Sequence, residues 1–411
     1  MKRYIIFLFA LIFCLSCAVS CGNNTNDADS KPEIKMLPGQ DVKVISINLL
    51  VGDLSTPTFK LNGRDEIMTP LLLSYDADSI GVQESVGWVI PLDNQLEGYG
   101  RAGFTVQGVR EPRSSHSGNY IYYKKDKYNL IEDGIIWLSD SPDMVDEGSR
   151  TCCWAILENK ETGFRYVHMN THLFPTDSKV NAAEMPVVRD AMARFIELGF
   201  PVFTTGDFNT SQGSDNYQIM LENELINDSK VIAKESMNMG TYNGMREQDL
   251  EGKNPIDYCF VSHEVMSVQK YEVINTNVNG VFASDHNGVF VHATVGSLPD
   301  QFGLEHNISA EGITIEVAKA RPSILDVTFT QATDCHLIES YEVSAYDKNG
   351  NKAYSTSVPS CSARKVVPDK LECTLIRLSP DTEYTIIVTP ISIIDVKGSP
   401  TQIDAKTPAR N

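Results

Sequence analysis

Between Asp41 and Val295, apolar runs of strand length repeatedly end in a carboxylate, an amide or a histidine. Ser46-Ile47-Asn48, Gly81-Val82-Gln83-Glu84, Asn170-Thr171-His172-Leu173 and Gly206-Asp207-Phe208-Asn209 close four such runs. Pro255-Ile256-Asp257-Tyr258 and Ser284-Asp285-His286 follow. In an α/β fold, strand ends of this kind gather polar groups at one edge of a sheet, where ligand sites form. The stretch Val42 to Ile47 is nearly continuous in apolar residues, as in a strand buried on both faces. Phe164 to Leu173 predicts another strand, whose period of two puts His168, Asn170 and His172 on one face. Pro186 to Leu198 predicts a helix with Pro in its first turn and Gly199 just past its end. Pro201 to Thr205 then begins the next strand, which makes the pattern α/β.

Past Leu298 to Asn307 this alternation stops. Seven strand-like runs follow: Ile313 to Val317, Leu325 to Phe329, Ser340 to Ala345, Lys352 to Ser357, Leu371 to Leu378, Thr382 to Ser392 and Gln402 to Lys406. With turn signals such as Lys348-Asn349-Gly350 between them, they predict an all-β sandwich. Leu378-Ser379-Pro380-Asp381-Thr382-Glu383-Tyr384 resembles the tyrosine corner of fibronectin type III modules, a resemblance that spans roughly Glu311 to Pro408.

The N-terminus carries a positive Lys2-Arg3 pair and an apolar run from Ile5 to Val19, short for a membrane span and of signal-peptide length. Ala18-Val19-Ser20-Cys21 resembles a bacterial lipobox, with Cys21 as the lipidated residue and Cys17 as the fallback. An ordinary cleaved signal is the alternative. The polar stretch after Cys21 reads as a flexible tether. The expected organisation is a signal peptide over 1–20, a tether over 21–39, an α/β domain over 40–296, a linker over 297–310 and the β-sandwich over 311–408. Three of the nine cysteines lie in the leader, and no CxxC or Cys/His metal spacing occurs among the rest. Cys335, Cys361 and Cys373 allow at most one bridge among themselves, and for the others buried free thiols are at least as strong an expectation.

Taken singly, each polar cluster is weak. Gln-Glu after a strand is ordinarily a solvated loop, Asp-x-Asn is commonly a turn, and His168 is expected to be structural. Six clusters in this order are another matter. The order resembles the endonuclease/exonuclease/phosphatase superfamily, which includes deoxyribonucleases, neutral sphingomyelinases and inositol polyphosphate phosphatases. The resemblance covers nearly all of Asp41 to Val295. Gly118-Asn119, Ile135-Ile136-Trp137-Leu138-Ser139, Arg150 ahead of Trp154, and Gly240-Thr241-Tyr242 agree with it.

The resemblance implies a four-layered sandwich, two stacked β-sheets flanked by helices, followed here by the fibronectin type III-like sandwich. It implies a phosphodiesterase or phosphatase using Mg²⁺, with Mn²⁺ as the substitute; oxygen ligands with few thiols suit both ions better than zinc. Glu84 is the implied main metal carboxylate, with Asn48 and Asp285 beside it. Asp207 is to position or deprotonate the attacking water, Asn209 to hold the water or a phosphoryl oxygen, and His172 to donate to a non-bridging oxygen. Asp257 is to fix the tautomer of His286, and that dyad is to supply acid/base help. Two departures stand out: Ser117 replaces a common Glu, and Phe174 replaces the usual acid after Asn-Thr-His-Leu, with no matching Arg near Asn181. They leave the orientation of His172 open.

Against 54 Asp and Glu stand only 35 Lys and Arg, a net charge of −19. That balance repels polyanions at long range and lacks the basic footprint of a non-specific nucleic-acid binder. A small phosphoester is therefore the better substrate expectation, with nucleic acid, phospholipid and sphingolipid head groups left open. The expected setting is the bacterial cell envelope, as a monomer held to the membrane through Cys21. The competing expectation is a surface binding or adhesion lipoprotein with weakened catalysis, motivated by Ser117 and Phe174.

Overall fold

The computed structural model describes residues 36–410 except 57–59, 104, 107–108, 111–117, 143, 145, 147–148, 264–265 and 300–307. Cys21 with the whole leader, Ser117, and most of 297–310 lie outside the described residues.

The chain begins with β1 (Gln40–Asn48), α1 (Arg64–Ser74), β2 (Ser79–Gln83), α2 (Val89–Gln95), β3 (Tyr99–Ala102) and β4 (Tyr120–Lys124). It continues through β5 (Tyr128–Trp137), β6 (Thr151–Asn159), β7 (Arg165–His172), α3 (Ser178–Glu197), β8 (Val202–Asp207), α4 (Asp215–Met220) and β9 (Ile226–Asp228). Then come β10 (Glu235–Ser236), β11 (Asp257–Ser262), β12 (Met266–Ile274) and β13 (Gly288–Val295). One sheet has the order β10-β12-β13-β1-β2-β4-β3 and the other β9-β11-β8-β7-β6-β5. Each is mixed: β1 runs parallel to β2, and β7 parallel to β8, while their other neighbours are antiparallel.

The two sheets stack face to face, and the contact layer is partly polar. Tyr166 Oη donates to Ser79 Oγ at 3.0 Å, and Gln83 Nε2 donates to Asn170 Oδ1 at 2.6 Å. His168 sits wholly buried between Ser79 Oγ (2.7 Å) and Thr205 Oγ1 (2.8 Å). Burial pushes it down to about 3, so it is a neutral, structural histidine. The sheets approach so closely at Gly81 that a Cβ there would lie 2.2 Å from Thr205 Oγ1. Helices cover both outer faces. Met68, Leu72 and Leu92 pack on Ile45, Ile47, Ile80 and Val82 of the first sheet. On the second, Phe195 of α3 lies 5.2 Å from Trp154, and Met185, Val188 and Met192 join the same core. With every residue from Val44 to Asn48 but none of its first two buried, β1 explains its unbroken apolar character: both faces are covered.

The helix expected from Pro186 starts eight residues earlier in the chain, at Ser178, with Pro186 inside it. The Asp177 side chain caps it by accepting from the N–H groups of Lys179 (2.8 Å) and Val180 (3.4 Å), which satisfies donors that the first turn leaves open. That cap, together with the packed face of α3, outweighs the hydrogen bond that Pro186 cannot make. Gly199 does end the helix, in the left-handed conformation at φ 88°.

The C-terminal residues form two antiparallel sheets from seven strands: β14 (Ile315–Arg321), β15 (Ile324–Phe329), β16 (Ile338–Asp347), β17 (Lys352–Pro359), β18 (Leu371–Leu375), β19 (Glu383–Ser392) and β20 (Thr401–Lys406). Their orders are β14-β15-β18 and β17-β16-β19-β20. Alternate inward residues, Leu325, Val327 and Phe329 against Tyr341, Val343 and Ala345, fill the space between them. The Tyr384 hydroxyl accepts from Ser379 N–H at 2.8 Å, closing the corner before β19. His336 Nε2 and Glu197 Oε2, 2.7 Å apart, tie this part to the end of α3. Cys152, Cys153, Cys259, Cys335, Cys361 and Cys373 are all free thiols.

Candidate active site

The edges of both sheets that carry the last residues of β1, β2, β7 and β8 meet, and β11 begins at the same edge. The register makes this possible: Asn48 lies opposite Gln83, His172 opposite Asp207, and Asp207 opposite Asp257. Three residues just past strand ends adopt left-handed φ without being glycine: Leu50 at 55°, Glu84 at 53° and Asn209 at 49°. Such conformations are costly, and clusters of them mark sites where the backbone is held for function.

Asn48 joins the two sheets. Its Nδ2 donates to Asp207 Oδ2 at 3.0 Å and to Glu84 Oε1 at 3.3 Å. Val51 N–H donates to the other Glu84 oxygen at 3.1 Å. Asp207 Oδ2 lies 3.5 Å from His172 Nε2 and 3.7 Å from His286 Nε2, and its Oδ1 accepts the backbone N–H of Asn209 at 3.0 Å. The Asn209 side chain turns its amide to Leu173 O at 3.0 Å, so one of its donors is engaged in shaping the loop. His286 Nδ1 and Asp257 Oδ2 are 2.9 Å apart, with Asp257 completely buried. Asp285 lies close enough to Glu84 and Asp207 for both carboxylates to act on it. All eight expected residues thus fall in one constellation.

Charge in this pocket is strongly coupled. Burial, then the neighbouring Asp257, raises Asp207 above the usual carboxylate range, while His172 and His286 oppose the rise. Burial disfavours a charged His286, but Asp257, then Asp207 and Asp285, outweigh it and lift the imidazole to about 10. His172 goes the other way: burial pushes it down to about 4, against the pull of Asp207. One histidine is therefore cationic and the other neutral at pH 7.

Burial also raises Asp285, and the Glu84 carboxylate adds to the rise. Asp285 Oδ1 is buried without a hydrogen-bond partner. Two carboxylates in one hollow, one with an orphaned oxygen, are unfavourable unless a cation lies between them. Asn48 faces these carboxylates through Nδ2 while its Oδ1 accepts Leu50 N–H at 2.9 Å, so the donors on this side are the carboxylate oxygens, which fit Mg²⁺ or Mn²⁺. Asp207, Asp257 and His286 also bring ligand atoms within 4.8 Å of one another. Asp257 Oδ1, like Asp285 Oδ1, is buried without a hydrogen-bond partner, so this cluster is a second place beside the Glu84 side where a cation could sit with the His286 Nδ1–Asp257 Oδ2 contact intact.

Beyond the expected set, Phe174 occupies the position of the missing acid, and His172 Nδ1 is left without a partner. Helix α3 braces the backbone here and leaves His172 Nδ1 unpartnered. Glu184 Oε2 accepts Phe174 N–H at 2.7 Å, and Asn181 Nδ2 donates to Phe174 O (3.2 Å) and Phe208 O (2.8 Å). The Arg150 guanidinium lies 5.9 Å from the Phe174 ring centre and acts on His172 and Glu184, yet its side chain has no hydrogen bond or ion pair to a described residue. Tyr242, 48% exposed, stands edge-on to His286 at 5.1 Å and forms the rim. In the sequence, Arg150 and Tyr242 stand out only as motif matches. The spacing of three between Asn181 and Glu184, at the start of a helix just after Asn-Thr-His-Leu, was the signal for the clamp.

Two stacked sheets thus bring a buried Asp–His pair and several carboxylates to one edge. The sequence profile of the Endonuclease/Exonuclease/phosphatase family matches residues 47–286, more than half of the chain, and the chain belongs to that family. Its members are phosphoesterases and nucleases. A family protein from Bacteroides thetaiotaomicron is similar at 25% identity and a TM-score of 0.54, over 62% of this chain and 98% of that one. A mannosyl-6-phosphatase from the same organism is similar at 26% identity and a TM-score of 0.51, over 61% of this chain and 99% of that one. A Bacteroides vulgatus family protein, at 22% identity and a TM-score of 0.53, shares the fold. No curated protein sequence matches the chain.

Proposed function

We propose that this chain is a Mg²⁺-dependent hydrolase of small phosphate esters, with a sugar phosphate as the leading substrate class. The observation that carries the reading is the buried His286–Asp257 pair set 3.7 Å from Asp207, with Glu84 and Asp285 beside it. A cation held by Glu84 and Asp285 would neutralise the phosphate and favour charge on its oxygens. Asp207, raised by burial, accepts the proton of the attacking water as the new P–O bond forms. His286, kept protonated by Asp257, donates a proton to the leaving oxygen as its bond to phosphorus breaks. Neutral His172 donates through Nε2 to a non-bridging oxygen. Arg150, which forms no ion pair with a described residue and lies within electrostatic reach of His172, is placed to pair with the phosphate.

The sugar-phosphate preference is supported by the 26% identity to a mannosyl-6-phosphatase and by the acidic surface, which disfavours polyanions. The leader and Cys21 support a lipid-anchored place in the bacterial cell envelope. The two C-terminal sheets and the Tyr384 corner support a fibronectin type III-like spacer or docking module.

A hydrolysis screen of the purified protein, without its leader, tests the reading. Sugar phosphates, DNA, RNA, phospholipids and inositol phosphates are offered with Mg²⁺, with Mn²⁺ and with chelator. Metal-dependent release of phosphate from sugar phosphates is the expected result. Hydrolysis of none of them with either ion would instead favour the binding-protein reading. On the substrate so found, Arg150→Ala is expected to lower kcat/KM by about 10- to 100-fold, the equivalent of one lost charge-assisted hydrogen bond. An unchanged kcat/KM would remove Arg150 from the phosphate.

A further inference from the structure

The first residue of α1, Arg64, turns its guanidinium back under the site. Nη1 donates to Leu49 O at 2.8 Å and Leu50 O at 2.9 Å and reaches Ala283 O at 3.4 Å. Nη2 donates to Val51 O at 2.8 Å and Nε to Leu61 O at 3.2 Å. The Trp88 ring lies 5.1 Å from its Cζ, and Trp88 Nε1 donates to Leu50 O as well, at 2.8 Å. Among the described residues Arg64 forms no ion pair. A half-buried cation satisfied by carbonyl oxygens alone gives up an ordinary salt bridge, and the place of those carbonyls is what distinguishes it.

Each peptide unit has its C=O and its N–H on opposite sides. The unit joining Leu49 to Leu50 points its oxygen at Arg64 and its N–H at Asn48 Oδ1, 2.9 Å away. The unit joining Leu50 to Val51 points its oxygen at Arg64 and its N–H at Glu84 Oε2, 3.1 Å away. Leu50 must take φ 55° for both units to face the same way. The third carbonyl, Ala283 O, belongs to the segment that leads into Ser284 and Asp285, and Ser284 Oγ donates to Asn48 O. One guanidinium thus grips the backbone beside Asn48 and both carboxylates of the cation seat, and its charge polarises two peptide units toward Asn48 and Glu84.

We propose that Arg64 is a positioning residue for the cation seat, acting through the 49–51 turn on Asn48 and Glu84 and through Ala283 on Asp285. The inference rests on the reading that Glu84 and Asp285 hold a divalent cation. Its test is direct Mn²⁺ binding, followed by the electron paramagnetic resonance signal of free Mn²⁺, with no substrate and no turnover involved. Arg64→Met, which keeps bulk but removes charge and donors, is expected to weaken binding by about 10- to 100-fold, the usual effect of losing a group that orients metal ligands. Arg64→Lys, which keeps the charge but cannot span the carbonyls, is expected to fall between Met and wild type. Thermal melting is read alongside. A variant that melts lower but binds Mn²⁺ as wild type does would make Arg64 a purely structural residue and overturn the proposal. If Arg64→Met does not fold, Arg64→Lys decides alone: weakened binding supports the role and unchanged binding overturns it. Wild type that binds no Mn²⁺ overturns the cation seat itself, and this proposal with it; wild-type binding that Arg64 variants match overturns only this proposal.

Discussion

Replacing His286 with alanine is expected to slow turnover by about 10²–10⁴-fold, the range for losing a positioned proton-transfer group. The structure gives two reasons for placing the effect on the chemical step. His286 Nδ1 is bound at 2.9 Å to Asp257, which has no exposure to solvent, so the ring cannot rotate away or exchange its partner for water. Three carboxylates, Asp257, Asp207 and Asp285, together outweigh burial and hold the ring protonated, at about 10. Added Mg²⁺ cannot replace the imidazole, so the variant is expected to stay slow at every metal concentration. Asp257→Asn is expected to act in the same sense and less severely, because it perturbs the orientation and charge of the ring without removing it. Initial rates against Mg²⁺ concentration, on the phosphoester found in the screen, check both variants. Near-wild-type turnover by His286→Ala would eliminate the dyad from the mechanism.

The strand ends were legible because periodicity and residue type act locally. An apolar run that stops at Asn48, Glu84, His172 or Asp207 carries its own signal, and a mixed sheet has few ways to arrange such ends. The seven C-terminal runs were legible for the same reason, each within a few residues of an observed strand. The start of α3 was not, since Pro186 is a strong local stop, and what carries the helix through it is the Asp177 cap together with the face buried in the core. Arg150 was legible only as a motif match, because being unpaired is a property of the folded neighbourhood. Phe174 is a lost acid in the structure too, since His172 Nδ1 has no partner; the Glu184 contact to Phe174 N–H is a separate backbone brace from another element. Arg64 carried no sequence signal at all: its partners are carbonyl oxygens, which every residue type supplies.

Glu84→Ala is expected to raise the Mg²⁺ concentration needed for half-maximal rate by more than about 100-fold, exceeding the effect of losing a group that only orients a ligand. Turnover should recover in part at high metal, which separates this variant from His286→Ala. Two structural consequences accompany the loss and act in opposite directions. Asn48 Nδ2 and Val51 N–H lose an acceptor, a cost of about 1–3 kcal/mol where such donors stay buried. Asp285, raised mainly by its burial, loses the part of the rise that the Glu84 charge adds, so the pocket becomes less strained without a cation. The apo protein is therefore expected to melt near the wild-type temperature, whereas stabilisation by added Mg²⁺ should be largely lost, because a cation stabilises the fold only in proportion to its binding. Glu84→Gln separates the two effects: it keeps an acceptor for Val51 N–H but removes the charge, and it should behave like alanine toward metal and like wild type in apo melting. Rates and melting curves over the same Mg²⁺ series provide the check. If Glu84→Ala needs no more metal than wild type, the cation seat lies elsewhere in the constellation, and the Asp207, Asp257 and His286 cluster becomes the place to look.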